Sequence, residues 1–184
     1  ITVQTGGNLL MTSRQRTYIG SQFQCGTGTA VYTGDIAVIA GGSITMETYT
    51  GETLIGVRMQ GAQVAGDFDN SNLFVASGSG DIALTIFAPP AITCIADINA
   101  GGNVCVAAGG AGGNITLNPN GLAGNSGDIY IGTYNLVNAI APLPVSTRIF
   151  ATGDITATNG ANGLAILGYS LEEIKGKHHS MFVE

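Results

Sequence analysis

Seven aspartates are the residues with which this chain could do chemistry: Asp35, Asp67, Asp69, Asp81, Asp97, Asp128 and Asp154. Two carboxylates held a few ångströms apart supply the acid and base that cleave a glycosidic bond. Four of the seven, however, share one local setting. Asp35, Asp81, Asp128 and Asp154 each stand between a glycine and an isoleucine, where a short oxygen-bearing side chain bonds nearby backbone and shapes a turn. A common corner slot is therefore expected for them, rather than catalysis. Asp67-Phe68-Asp69-Asn70-Ser71-Asn72 sets oxygen atoms at alternate positions, as calcium loops do. It lacks the central glycine and distal glutamate of an EF-hand, so it reads as a polar turn. His178 and His179 are adjacent, and adjacent side chains on a helix or strand point apart, which argues against a shared metal. Both histidines lie in the C-terminal tail, so no Ser-His-Asp arrangement is expected. Arg14 and Arg16 form the basic pair of the body and read as exposed. No catalytic, cofactor-binding or metal-ligating residue is assigned, and the expectation is a protein that is not an enzyme.

The elements that must position these residues are marked by the same glycines. Gly34-Asp35-Ile36, Gly42-Ser43-Ile44, Gly80-Asp81-Ile82, Gly102-Asn103-Val104, Gly113-Asn114-Ile115, Gly127-Asp128-Ile129 and Gly153-Asp154-Ile155 repeat one pattern. Most open a short alternating apolar run, as in Asp35-Ile36-Ala37-Val38-Ile39-Ala40, so each glycine reads as a corner and each run as a strand. The spacing between corners is uneven, which suits an irregular β-helix better than a short-repeat solenoid. Pro89-Pro90 and the segment 142–144 interrupt the pattern and read as loops or edges, since proline cannot donate to a ladder. The fold expected is all-β: a right-handed parallel β-solenoid over residues 1–160, with a short α-helical C-terminal appendage in 161–184.

Composition agrees with this reading and excludes others. With 184 residues and 45% hydrophobic side chains there is material for one core. Only 10% of residues are charged, against about 25% in ordinary soluble domains. Such a surface must be covered by Ser, Thr, Asn, Gln and backbone, a pattern suited to extracellular β-structure. The net charge of −6, with six Lys plus Arg, leaves no basic stripe for phosphate, so no nucleic-acid partner is expected. No run approaches the roughly 18 apolar residues of a membrane span. No signal peptide is visible, and a chain opening at Ile1 without Met leaves room for an upstream part. Three cysteines, Cys25, Cys94 and Cys105, fit no metal-ligand spacing. They read as small buried hydrophobes, with a Cys94–Cys105 bridge between adjacent turns as the alternative.

The last part of the chain changes character. Lys175, Lys177, His178 and His179 are confined to it, and Ser170-Leu171-Glu172-Glu173 forms a capping box for a brief helix that Gly176 can close.

Two resemblances follow from these segments. Gly112-Gly113-Asn114-Ile115-Thr116-Leu117, Gly127-Asp128-Ile129-Tyr130-Ile131 and Gly153-Asp154-Ile155-Thr156-Ala157 resemble repeats of the filamentous haemagglutinin family, the exoproteins of bacterial two-partner secretion. Asn118-Pro119-Asn120-Gly121 is similar to a motif of that family's secretion domain. The resemblance implies a parallel β-helix at the bacterial cell surface, used in adhesion or contact. Residues 164–184, from Leu164-Ala165-Ile166 through Leu167-Gly168-Tyr169-Ser170 to Phe182-Val183-Glu184, resemble the early helical segment of PAS domains on chemoreceptors. That segment is the first fraction of a sensor pocket, so the tail is expected to sense nothing by itself and to cap the last turn. Residues 147–157 fit either the first PAS strands or another body repeat.

The function expected is therefore structural or adhesive, at the cell surface or outside the cell. Self-association into fibres, and contact with host or cell-surface glycans or proteins, are the partners it implies. The alternatives are a polysaccharide-processing β-helix enzyme and a fragment of a PAS-containing sensor.

Overall fold

Period-two alternation decides the local structure. In Ile36-Ala37-Val38-Ile39-Ala40 the first, third and fifth side chains are buried and the others are partly open, and Ile44–Thr48, Ile82–Ile86 and Val104–Ala108 repeat that rhythm. A strand buries one face in this way. The protein, seen in a computed structural model, is described for residues 1–24, 31–32, 34–60, 68–69, 71–87, 93–119, 126–133, 146–157 and 164–166.

Strands wind through five successive rungs. The first holds β1 (Thr2–Thr5), β2 (Leu9–Ser13), β3 (Arg16–Gln24) and the short β4 (Val31–Tyr32). The second holds β5 (Ile36–Ala40), β6 (Ile44–Thr48), β7 (Glu52–Gln60) and the short β8 (Phe68–Asp69). The third holds β9 (Leu73–Ser77), β10 (Ile82–Ile86) and β11 (Thr93–Ala100), and the fourth β12 (Val104–Ala108), β13 (Ile115–Asn118) and β14 (Ser126–Thr133). β15 (Thr147–Ala151), β16 (Ile155–Ala157) and β17 (Leu164–Ile166) form the fifth. Each strand pairs in parallel with its counterpart in the rungs on either side. The result is three five-stranded parallel sheets: A (β1-β5-β9-β12-β15), B (β2-β6-β10-β13-β16) and C (β3-β7-β11-β14-β17). β4 and β8 pair in a fourth, two-stranded sheet.

The chain is thus a parallel β-solenoid, and the register stacks like on like inside it. Val3, Val38, Val75, Val106 and Ile149 form one column of sheet A, and Leu9, Ile44, Ile82, Ile115 and Ile155 one column of sheet B. Ile19, Ile55, Ile98, Ile131 and Ile166 form the matching column of sheet C. Every rung therefore extends the same apolar interior. At the third inward position of sheet A the residues are small, Thr5, Ala40, Ser77, Ala108 and Ala151.

β15 and β16 join sheets A and B in register with the fourth rung, so residues 147–157 are a further body repeat. β17, within the stretch 161–184, adds to sheet C beside β14. The described residues contain no helix; the helix expected near 171–175, His178, His179, Cys25, Pro89, Pro90 and the segment 142–144 lie outside them.

Candidate functional surfaces

Two corners of the solenoid are tied by side chains. Ahead of sheet A, the backbone N–H and Nδ2 of Asn72 both donate to Asp35 Oδ1 at 3.1 and 3.0 Å. The N–H and Nδ2 of Asn103 donate to Asn72 Oδ1, each at 3.0 Å, and the N–H of Ser146 donates to Asn103 Oδ1 at 2.9 Å. Ahead of sheet B the ladder runs through every rung. Asn8 Oδ1 accepts from the N–H of Ser43 at 2.9 Å, Ser43 Oγ from that of Asp81 at 3.1 Å, Asp81 Oδ1 from that of Asn114 at 2.7 Å, and Asn114 Oδ1 from that of Asp154 at 2.8 Å. One side-chain oxygen per rung satisfies a backbone donor of the next rung, which a corner would otherwise leave to solvent. The bonds from the backbone and then the side chain of Asn72 hold the Asp35 carboxyl below its ordinary range, with a smaller contribution from the N-terminal ammonium.

These ladders divide the aspartates. Asp35 stands at one corner, Asp81 and Asp154 at another, and none of the three meets a second carboxylate partner in its bonds. Asp128 departs from the expected corner slot: it lies inside β14, at the register position beside Ile95. The reason is that sheet C strands run eight or nine residues in the first four rungs, so the glycine before Asp128 falls within a strand. Of the proposed calcium-like segment, Asn72 serves the ladder, while Asp67 and Asn70 lie outside the described residues.

The corner after sheet B has a different chemistry. Arg14, Tyr49 and Phe87 follow directly on the stacked positions Ser13, Thr48 and Ile86. The Tyr49 and Phe87 rings stack at 5.0 Å with an interplanar angle of 19°, and the Arg14 guanidinium lies 5.8 Å from the Tyr49 centroid. A cation over an aromatic stack replaces the polar ladder here.

The three outer faces also differ. Sheet A turns Ile39, Phe74, Ala76, Cys105, Ala107 and Phe150 outward beside the polar Gln4 and Arg148, with Phe74 41% and Phe150 56% exposed. Sheet B presents Thr12, Thr45, Thr85 and Thr116, together with Leu10 and Glu47. Sheet C carries Glu52 and Asp97. Tyr18 Oη donates to Glu52 Oε2 at 2.6 Å, and Asn99 Nδ2 to Asp97 Oδ2 at 3.4 Å. Arg16 is in register with Glu52, and Leu54 with Asp97. Glu52, Leu54 and Asn99 stand on the outer side of their strands yet are buried, so this part of sheet C is shielded on both sides. Beside them runs a glycine column. Gly20, Gly56, Asn99 and Gly132 share one register column, and Gly20 and Gly56 have φ of 151° and 138°. A Cβ on Gly20 would overlap the carbonyl of Gly56, and one on Gly56 the carbonyl of Asn99, so only glycine fits.

Tyr18 and Glu52 escaped the sequence reading because each one's partner lies a rung away. The cysteines are settled more simply. Cys94 points into the core of sheet C and Cys105 to the outer side of sheet A, and both are free thiols. Burial pushes both thiols up from their ordinary range, so neither is thiolate at neutral pH. Among the described residues no three His, Cys, Asp or Glu side chains come together as a metal site, and no helix is long and apolar enough to cross a membrane. No protein-family model, curated protein or solved structure matches the chain.

Proposed function

We infer that this chain is a structural or adhesive β-solenoid of the bacterial cell surface or extracellular space. The carrying observation is the use made of its polar side chains. Asp35 and Asp81, with Asn8, Asn72, Asn103 and Asn114, are consumed in rung-to-rung ladders that hold a rod together, one of which ends on the backbone N–H of Asp154. A low-charge body with an apolar outer face on sheet A, a threonine-bearing face on sheet B and a regular core suits display and contact with glycans or proteins. The winding is right-handed, as parallel strand crossovers overwhelmingly are. A helical segment follows it, on the capping box of Ser170 and Glu173.

The polysaccharide-processing reading is favoured by one feature, the presence of Arg16, Glu52 and Asp97 on the outer side of sheet C. Burial of Glu52 and its bond to Tyr18 weigh against it. The test is to coat beads with the purified chain, measure their retention on bacterial and host cells and on immobilised glycans, and assay the same preparation for new reducing ends or unsaturated products from acidic polysaccharides. Retention without cleavage is the expected result. Cleavage that is lost in Asp97→Asn would overturn the structural reading.

A further inference from the structure

We propose that the two ends of the solenoid are complementary, so that the fifth rung of one copy docks on the first rung of a second copy, head to tail. This deepens the structural reading above and rests on it.

Among the described inward residues, burial falls off at the ends. The apolar residues that pack against the core while remaining partly open are Val3, Leu9 and Ile19 of the first rung and Ile149 and Ala151 of the fifth. Ile155 belongs to an inward column whose other buried members, Ile44, Ile82 and Ile115, are fully enclosed, yet it is 50% exposed. Among the described residues, β1, β2 and β3 end their sheets on one side and β15, β16 and β17 on the other, each pairing with one neighbouring strand of its sheet.

The ends match in kind. Placing a second first rung beside the fifth would set Leu9 against Ile155 and Val3 against Ile149, continuing two interior columns with the residue types they already contain. The sheet B ladder continues as well. Inside the molecule, Asn114 gives its N–H and Nδ2 to Asp81 Oδ1 one rung earlier. Asp154 ends that ladder with an exposed carboxylate, and Asn8 begins it with the same residue type as Asn114. Asn8 of the second copy would stand to Asp154 as Asn114 stands to Asp81.

Because the two surfaces differ, the contact is heterologous and does not close on itself; copies add along one axis.

The full chain, followed by sedimentation velocity over a concentration series and by electron microscopy, should form linear species that lengthen with concentration. Asn8→Asp keeps the oxygen that Ser43 uses but sets a carboxylate against Asp154 of the next copy. It should weaken association about tenfold, and Asp154→Asn in the same chain should restore it. Far-ultraviolet circular dichroism and the melting temperature confirm that each variant folds. A monomer at the highest soluble concentration, a closed dimer, or linear species untouched by Asn8→Asp would each overturn the proposal. The readouts separate the two readings: a strictly monomeric chain that still holds beads to cells defeats head-to-tail docking alone, and polysaccharide cleavage defeats the structural function alone.

Discussion

The corners ahead of sheets A and B and the glycine column of sheet C meet the same demand by opposite means. Both must let neighbouring rungs approach to the strand spacing of about 4.8 Å. The corners add something, a side-chain oxygen that reaches one rung on, and Asn, Asp or Ser serves equally because each supplies that acceptor. The glycine column removes something, the Cβ, because a neighbouring carbonyl already fills the space beside Gly20 and Gly56. Interchange of residues is thus built into the corners and forbidden at Gly20 and Gly56, while Asn99 keeps a side chain in the same column.

The sharpest way to break this comparison is Gly56→Val. It combines backbone overlap with a φ that a β-branched residue avoids, and it should cost about 4 kcal/mol or more, seen as loss of the cooperative melt or failure to fold. If Gly56→Val melts like the parent, position 56 is not glycine-specific and the contrast collapses.

At the corners the effect should be smaller and depend on what remains. Asn114→Ala removes the Nδ2 bond to Asp81 and the acceptor for Asp154, costing about 1–2 kcal/mol in denaturant titration. Asn114→Asp keeps the acceptor but turns the Nδ2 contact with the Asp81 carboxylate into like-charge repulsion. It should be less stable than the parent at pH 7, by a margin that narrows at high salt. The aromatic corner comes next: Tyr49→Ala forfeits the stack with Phe87 and the Arg14 contact, for about 1 kcal/mol in the same titration.

The smallest expected change is in Asp35→Asn. The Asp35 carboxyl is held below its ordinary value of 3.8, chiefly by the N–H of Asn72. The stability it lends is complete above that value and disappears as pH falls through the lower folded-state value. The substituted chain should match the parent at neutral pH and lack this part of the acid-side decline. A steeper decline in Asp35→Asn would show that the ladder does not set the proton affinity of Asp35.

Much of the fold was legible, because alternation and corner chemistry are local. Glycine, a short polar residue and then Ile or Val mark the starts of β5, β6, β10, β12, β13 and β16. The same signal misled at Asp128, which looks identical in sequence but sits inside a strand. It also passed over Asn72 and Ser146, whose preceding residues are Ser71 and Val145. The corner requires the oxygen, not the glycine. Sheet C was the least readable part. Its column of Gly20, Gly56, Asn99 and Gly132 is regular only in space, since its successive members stand 36, 43 and 33 residues apart in the chain. Tyr18 and Glu52 meet across such an offset, and nothing in either one's own neighbourhood announces the pair.

Those unequal offsets separate two kinds of length. Loop-closure entropy grows only with the logarithm of loop size, so a rung of 43 residues costs about 0.3 kcal/mol more to close than one of 31. The height added by a rung is fixed by the hydrogen bonds between strands and takes no account of how many residues lie between them. Insertions between strands therefore thicken the rod without lengthening it. Its dimension along the axis is a count of rungs, and a gene encoding such a chain can drift in size while the object it specifies keeps the same reach.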